Sequence, residues 1–311
     1  MVSVSKTDSG KTYRGECTGE ALETVQNHAK EADLTLFASC FCPFVQRVWV
    51  AFECLGVPYK VYEVDPYKKP KDLLEVSPKG LVPGLRLNNF NPPKALNEST
   101  VILEYINEYV CILSESNKGP SLLPPITNPS AKRSHLTTFK DARALVRLQS
   151  DHINRSVVPA FYRFLQAQDL DAQISAGKEY HASIETLVGL FERMEKEVDP
   201  AKNGVTGEGE KKALTSGLGL WIDGNEDLGW VDVMVGPWLY RSKNVLKHYR
   251  GFELPPGTKF NKWLDRLFQH PYFRRTCSTD DLYLDSYERY AFNRPNTSQV
   301  ANAINSGRGL P

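Results

Sequence analysis

Leu34-Thr-Leu-Phe-Ala-Ser-Cys-Phe-Cys-Pro-Phe44 is an apolar, strand-like run that ends in Cys-Pro-Phe and passes directly into a helical pattern. Pro43 suits the first helical position, because the N–H it lacks would be unpaired there. Cys42 then falls at the N-cap, facing the positive end of the helix. That field and the free backbone N–H groups favour a thiolate over a thiol. The competing reading is a buried structural cysteine, a common fate of free Cys.

Outward from this stretch, Leu34–Ser39 reads as a buried strand. Pro43–Leu55 reads as a helix, with Val45, Val48, Trp49 and Phe52 on one face. Gly56 supplies the stop, and Pro58 lies just beyond. Tyr59–Val64 alternates as a strand, so strand, helix and strand form a right-handed βαβ unit. A short helix at Lys71–Val76 follows, broken by Pro78 and Gly80. Leu81–Leu87 and Lys94–Leu96 pair across the polar turn Asn88–Pro93, and Glu98–Leu113 is a helix. The order βαβαββα, with a mixed sheet, is that of a thioredoxin-like α/β domain over 33–113. Residues 1–32 form an N-terminal extension with a weak helical stretch from Gly19 to Ala32, packed on the surface or partly disordered. Proline-bearing 114–128 reads as a linker. From 129 to 292 the patterns are helical: Lys132–Gln168 with a kink at Pro159, Ala172–Val198, Trp230–Tyr249, Lys259–His270 and a weaker Asp280–Tyr290. Asp199–Asp227 reads as a polar, Gly-rich loop, and 293–311 as a polar tail that ends the fold.

The 311 residues suffice for two domains, and 41% hydrophobic with 24% charged residues is a globular composition. A net charge of +1 argues against a broad nucleic-acid surface. No apolar run reaches transmembrane length, and the N-terminus lacks the apolar core of a signal peptide, so a cytoplasmic, reducing location is expected. The six cysteines show no zinc spacing, and no metal is expected. Cys40 reads as a packed strand residue near the site. The sequons at Asn97, Asn154 and Asn296 read as chance matches, and Gly207-Glu-Gly209 is not a phosphate loop.

A set of motifs resembles the soluble glutathione transferases over roughly 33–290. Phe41-Cys-Pro-Phe-Val-Gln-Arg47 is similar to the active-site motif of the omega class, and Ser77-Pro-Lys-Gly-Leu-Val-Pro83 to the segment leading to a cis-proline. Asn97-Glu-Ser-Thr-Val-Ile-Leu-Glu-Tyr-Ile106 resembles the Glu-Ser signature. Gly229-Trp-Val-Asp232 with Pro237-Trp238, and Trp263–Thr276, resemble helices of the second domain. The tail from Asn293 to Ser298 resembles fungal omega-type members. One departure is Gly229, where the family has a Ser or Thr cap, so only Asp232 can supply its half of the capping box. The other is the long Asp199–Asp227 loop.

The resemblance implies glutathione as co-substrate. Cys42 is the catalytic sulfur, with Phe44 beside it. Glu98 and Ser99 hold the γ-glutamyl end, and Val82, before a cis Pro83, holds the cysteinyl backbone by a short strand addition. Lys69 matches the lysine for the glycine carboxylate, against the plainer reading of a solvated charge. Lowered to a pKa of about 6, the Cys42 thiol would be roughly 90% ionised at pH 7. A dithiol site would need Cys where Val45 stands, so a monothiol route is implied: thiol transfer, deglutathionylation, and reduction of dehydroascorbate or glutathionyl adducts. Phe161, Tyr162 and Trp238, with Phe164 and Tyr240, are candidates for an acceptor pocket between the domains, each equally readable as helix core. A homodimer is implied, with no nucleic acid or membrane partner. The rival readings are a non-catalytic ligand-binding relative, a membrane-inserting channel-like relative, and a glutathionyl-quinone reductase, which would carry Trp in place of Phe44.

Overall fold

The computed structural model describes residues 7–113, 120–124, 135–199 and 206–311. The expected linker over 114–128 and the start of the helix expected at Lys132 lie largely outside them. The first domain holds β1 (Leu34–Ala38), α2 (Pro43–Leu55), β2 (Lys60–Glu63), α3 (Lys71–Val76), β3 (Gly84–Leu87), β4 (Lys94–Asn97) and α4 (Ser99–Leu113), preceded by α1 (Gly19–Asn27). The sheet order is β2-β1-β3-β4. β1 runs parallel to β2 and antiparallel to β3, with Phe37 opposite both Tyr62 and Gly84. Every residue of β1 is buried, which is why it reads as a continuous apolar run. Gly56 ends α2 in the left-handed region, at φ 64°, and its N–H closes on the Phe52 carbonyl at 3.0 Å.

The second domain is helical. α5 (His135–His152) passes through a π-helical turn, Ile153–Val157, into α6 (Val158–Gln166). The irregularity sits just before Pro159, whose ring and missing N–H disrupt the preceding turn. α7 spans Leu170–Val198. Within the expected loop, Glu208–Thr215 forms the short helix α8. α9 (Trp230–Arg241) continues through a second π turn, Ser242–Leu246, into α10 (Lys247–Arg250). Then come α11 (Thr258–Gln269), α12 (Pro271–Arg274), α13 (Asp280–Ala291) and α14 (Gln299–Asn305). No described helix is long and apolar enough to cross a membrane.

α2 lies between α4 and α9, so the helix that starts at Cys42 is also the seam between the two domains. Behind it, Asp232 of α9 is a buried acceptor for three donors. Gly229 N–H and Leu220 N–H reach Oδ2 at 2.8 and 2.9 Å, and Trp263 Nε1–H reaches Oδ1 at 2.8 Å. Gly229 has no side chain to cap with, so only this half of the capping box exists. A Cβ on Gly229 would come within 2.6 Å of Gly219 N and Cα. The missing Ser or Thr thus makes room for backbone of the 217–220 loop.

The N-terminal extension is pinned down. Ser9 bonds the Glu288 carboxylate through N–H and Oγ at 2.7 and 2.8 Å, and Arg14 reaches Asp281 and Asp285 at 2.9 Å. Cys17 and Ala21 are buried. His28, just beyond α1, joins the extension to α2: its Nε2 lies 3.1 Å from Glu53 Oε1, and Tyr59 O–H donates to the same oxygen at 2.6 Å. The hydrogen bond to Glu53 holds the His28 pKa above its ordinary value. A raised histidine contributes stability that is full below the unfolded value of about 6.5 and is lost as pH climbs through the folded value. The gap in Tm between wild type and His28→Gln is therefore expected to be widest near pH 5.5 and to shrink toward pH 8.5. A gap that is constant or widens with pH contradicts this account.

The expectation that 293–311 simply ends the fold is corrected. Ser298 caps α14, its Oγ accepting Ala301 N–H at 2.9 Å. Ala301 and Ala303 are buried, and Gln166 of α6 donates to the Ala301 carbonyl at 3.2 Å. The tail packs back over the mouth of the first domain.

Candidate active site

Cys42 is the N-cap of α2, with extended backbone at φ −74°, ψ 120°, Pro43 at the first helical position and no side-chain capping bond. Its Sγ lies 3.8 Å from the Val82 carbonyl oxygen. The Val82–Pro83 peptide is cis. Beside the sulfur, the Phe44 ring meets Trp238 edge-on at 4.8 Å between centroids.

Two adjoining cavities open here. The first, about 480 Å³, is lined by Phe44, Arg47, Val82, Pro83, Glu98 and Ser99, with Leu310 and Pro311 of the tail at its edge. The second, about 320 Å³, holds Cys42, Lys69, Tyr67, Tyr162, Tyr287 and Tyr290, with Asn296, Ser298, Gln299 and Asn302 of the tail. Phe44, Leu81, Val82 and Val300 belong to both. The residues expected to hold glutathione therefore fall along one groove, with Val300 of the tail standing beside its middle. Ser99 is buried at the start of α4, where free N–H groups accept a carboxylate. Glu98 sits at φ 71°, a left-handed conformation uncommon for a residue with a side chain and often found at binding sites. Lys69, also left-handed at φ 43°, donates from Nζ to the Lys79 carbonyl at 3.1 Å.

Of the acceptor candidates, Tyr162 lines the Cys42 cavity. Phe161 and Trp238 do not: both are completely buried in the helical core, Trp238 behind Phe44. Phe164 is core as well, and Tyr240 faces a separate surface cavity with Lys243 and Lys247. Sequence reasoning missed Tyr67, Tyr287, Tyr290 and the tail. The spacing Tyr283, Tyr287, Tyr290 on α13 was the available signal, since it marks one helical face. Burial keeps Tyr162, Tyr287 and Tyr290 above the ordinary phenol value, so all three are neutral donors at neutral pH.

In the unliganded protein, burial opposes the acidity expected of Cys42. Burial by the dense surrounding protein pushes the thiol up. The N–H groups of Val45 and Phe44, then the charges of Arg241 and Arg47, pull it down without offsetting that push. The residue is only half-buried, because it opens on the cavity. Cys40, more deeply buried, is pushed up to about 12. With its pKa raised, Cys42 is a protonated thiol below the ordinary thiol range near 8.5. Its alkylation by iodoacetamide is expected to climb through pH 8.5 and beyond, and a rate already level at pH 7 contradicts this. Among the described residues no group of three or more His, Cys, Asp or Glu could hold a metal.

A thioredoxin-like domain with a Cys-Pro helix start, a cis-proline facing it and a helical second domain define the glutathione transferase fold. Residues 36–109 match the family described as Glutathione S-transferase, N-terminal domain. The chain is 24% identical over 267 residues to pyrimidodiazepine synthase of Drosophila melanogaster, covering 85% of this chain and 88% of that one. It is 24% identical to Glutathione S-transferase DHAR2 of Arabidopsis thaliana, over 79% and 89% of the two chains. The solved structure of glutathione transferase Omega 3C from Trametes versicolor superposes with a TM-score of 0.65 at 29% identity, covering 89% of this chain and 98% of that one. Residues 36–109 are thus a glutathione S-transferase N-terminal domain, and the chain as a whole is similar to glutathione transferases of the fungal omega class.

Proposed function

We propose that the protein is a glutathione-dependent thiol transferase and reductase that works through a Cys42–glutathione mixed disulfide. The observation that carries this reading is the placement of the Cys42 sulfur, at a helix N-terminus, 3.8 Å from Val82 O and on a groove that continues to Glu98 and Ser99. The thiolate of Cys42 attacks the glutathione sulfur of a mixed disulfide. A Cys42–S–S–glutathione bond forms, the acceptor's sulfur leaves with the electron pair and takes up a proton. A second glutathione thiolate then attacks the Cys42-bound glutathione, releasing glutathione disulfide and restoring Cys42. The position a resolving cysteine would occupy holds buried Val45, which supports the monothiol route.

A resting thiol is compatible with this chemistry, because a less acidic sulfur is the stronger nucleophile once ionised. Turnover is proposed to rise from pH 7 to 9. Ser99 and Glu98 take the γ-glutamyl group, Val82 the cysteinyl backbone, and Lys69 the glycine carboxylate once freed from Lys79. The acceptor, whether a glutathionyl adduct or dehydroascorbate, would sit among the tyrosines beside Cys42. Half-exposed Val101 of α4 and exposed Leu148 of α5 support a homodimer, which sedimentation can test. A cytosolic location suits a glutathione-dependent reaction. The functional test is turnover of hydroxyethyl disulfide with glutathione, compared with glutathionyl-quinones. Activity on neither substrate argues against the reading, and a strong preference for the quinone adduct supports the glutathionyl-quinone reductase.

A further inference from the structure

We propose that Arg241, reaching from the helical domain beneath the Cys42 turn, is a positioning residue that holds this turn and supplies a counter-charge to the sulfur, with Arg47 as a second such charge. The inference rests on the reading of Cys42 as the reacting group. Arg241 is 1% exposed. Its Nη2 donates to the carbonyl of Phe41, the residue before Cys42, at 3.1 Å. Its Nη1 donates to Gln46 Oε1 in the first turns of α2 and to Pro237 O at 3.1 Å, and its guanidinium lies 4.3 Å from the Tyr283 ring centroid. Tyr287 O–H donates to the same Phe41 carbonyl at 3.3 Å. The peptide leading into Cys42 is thus clamped from the second domain.

Neither arginine has a carboxylate within ion-pair distance among the described residues. Arg47 is also 1% exposed. Its Nε donates to Met234 O at 2.7 Å, its guanidinium stacks 4.2 Å from the Trp238 ring centroid, and its Nη2 has no hydrogen-bond partner. Burying one cation without a counter-ion is costly, and two beside one cysteine are hard to explain as packing alone. An anionic sulfur formed at Cys42 would be the missing partner. Both charges act to ease its ionisation, which burial opposes. Burial draws Arg47 below the ordinary guanidinium value, but an arginine side chain keeps its charge over the range in which a thiol ionises. The other titratable groups facing the sulfur are Tyr162 from α6, Tyr287 and Tyr290 from α13, Tyr67, and Cys40 before the turn, with Lys69 on the cavity wall. The tyrosines and Cys40 are neutral over the working range, and the two arginines are the buried charges that act on the sulfur.

The test is the pH profile of iodoacetamide alkylation at Cys42, read by peptide mass spectrometry without glutathione, in the full-length wild type, Arg241→Met, Arg241→Lys and Arg47→Met. The midpoint is expected to rise by about one pH unit in each Met variant, a tenfold loss of thiolate at fixed pH. Arg241→Lys, which keeps the charge, is expected to stay within about half a pH unit of wild type. Midpoints unchanged in both Met variants, at wild-type circular dichroism, overturn the proposal. So does a Lys variant that shifts as far as Met, because charge is then not the agent. If Arg241→Met does not fold, Arg47→Met decides alone, since it removes a charge and one backbone hydrogen bond. Glutathione is absent from the assay, so its result is separate from whether a mixed disulfide forms.

Discussion

Cys42→Ser is expected to lower glutathione-dependent reduction of hydroxyethyl disulfide by at least about 10³-fold, while leaving the fold and the affinity for glutathione nearly intact. The reason is chemical. The serine hydroxyl does not ionise in the working range and cannot form a disulfide, whereas every step of the exchange passes through the Cys42 sulfur. The structural cost is small, because Cys42 makes no side-chain capping bond and its Sγ approaches the Val82 carbonyl no closer than 3.8 Å. Serine is also among the best N-cap residues, so Tm should hold or rise slightly. Two assays separate the possibilities. Lost turnover with retained glutathione binding by calorimetry supports the mechanism. Retained turnover moves the chemistry to another residue.

Asp232→Ala carries the largest expected effect on stability. Removing this carboxylate strands Gly229 N–H, Leu220 N–H and Trp263 Nε1–H in a buried site. Each unsatisfied donor costs roughly 1–3 kcal/mol. A loss of about 4 kcal/mol and a fall in Tm of about 10 °C are expected. Because α9 carries Arg241 and packs on α2, Cys42 alkylation should become less uniform well below the new Tm. Asp232→Asn keeps one acceptor oxygen and should cost less than half as much. Equal melting of wild type and Asp232→Ala would show that the cluster is not a structural anchor.

The first domain was readable because its signals are local. A continuous apolar strand, Pro43 at the start of α2 and Gly56 at its end mark the βα unit within a few dozen residues. The reading of α2 as Pro43–Leu55 and of α3 as Lys71–Val76 matches the structure. Cys42, Val82 and Ser99 could be named because each sits at an element boundary bearing a motif. The acceptor side was hidden for a physical reason. Phe161 and Tyr162 are neighbours on α6, and only packing decides which one faces Cys42; both are buried, but Tyr162 lines the Cys42 cavity and Phe161 sits in the helical core. Arg241 meets Phe41 across 200 residues, a pairing no local pattern shows. The tail was misread because its apolar content is slight: Ala301 and Ala303 suffice to seat a short helix against α6. The burial that opposes the acidity of Cys42 was not legible, because helix-end geometry is local while burial depends on tertiary packing.

The central claim is that Cys42 is the sulfur that carries glutathione. The most direct measurement is the intact mass of the full chain after exposure to oxidised glutathione near pH 8.5, followed by digestion to map the adduct. One glutathionyl group on the peptide containing Cys42, removed by excess reduced glutathione, is the predicted result. An adduct on Cys54 or Cys277 with Cys42 unmodified, or no adduct, would contradict it.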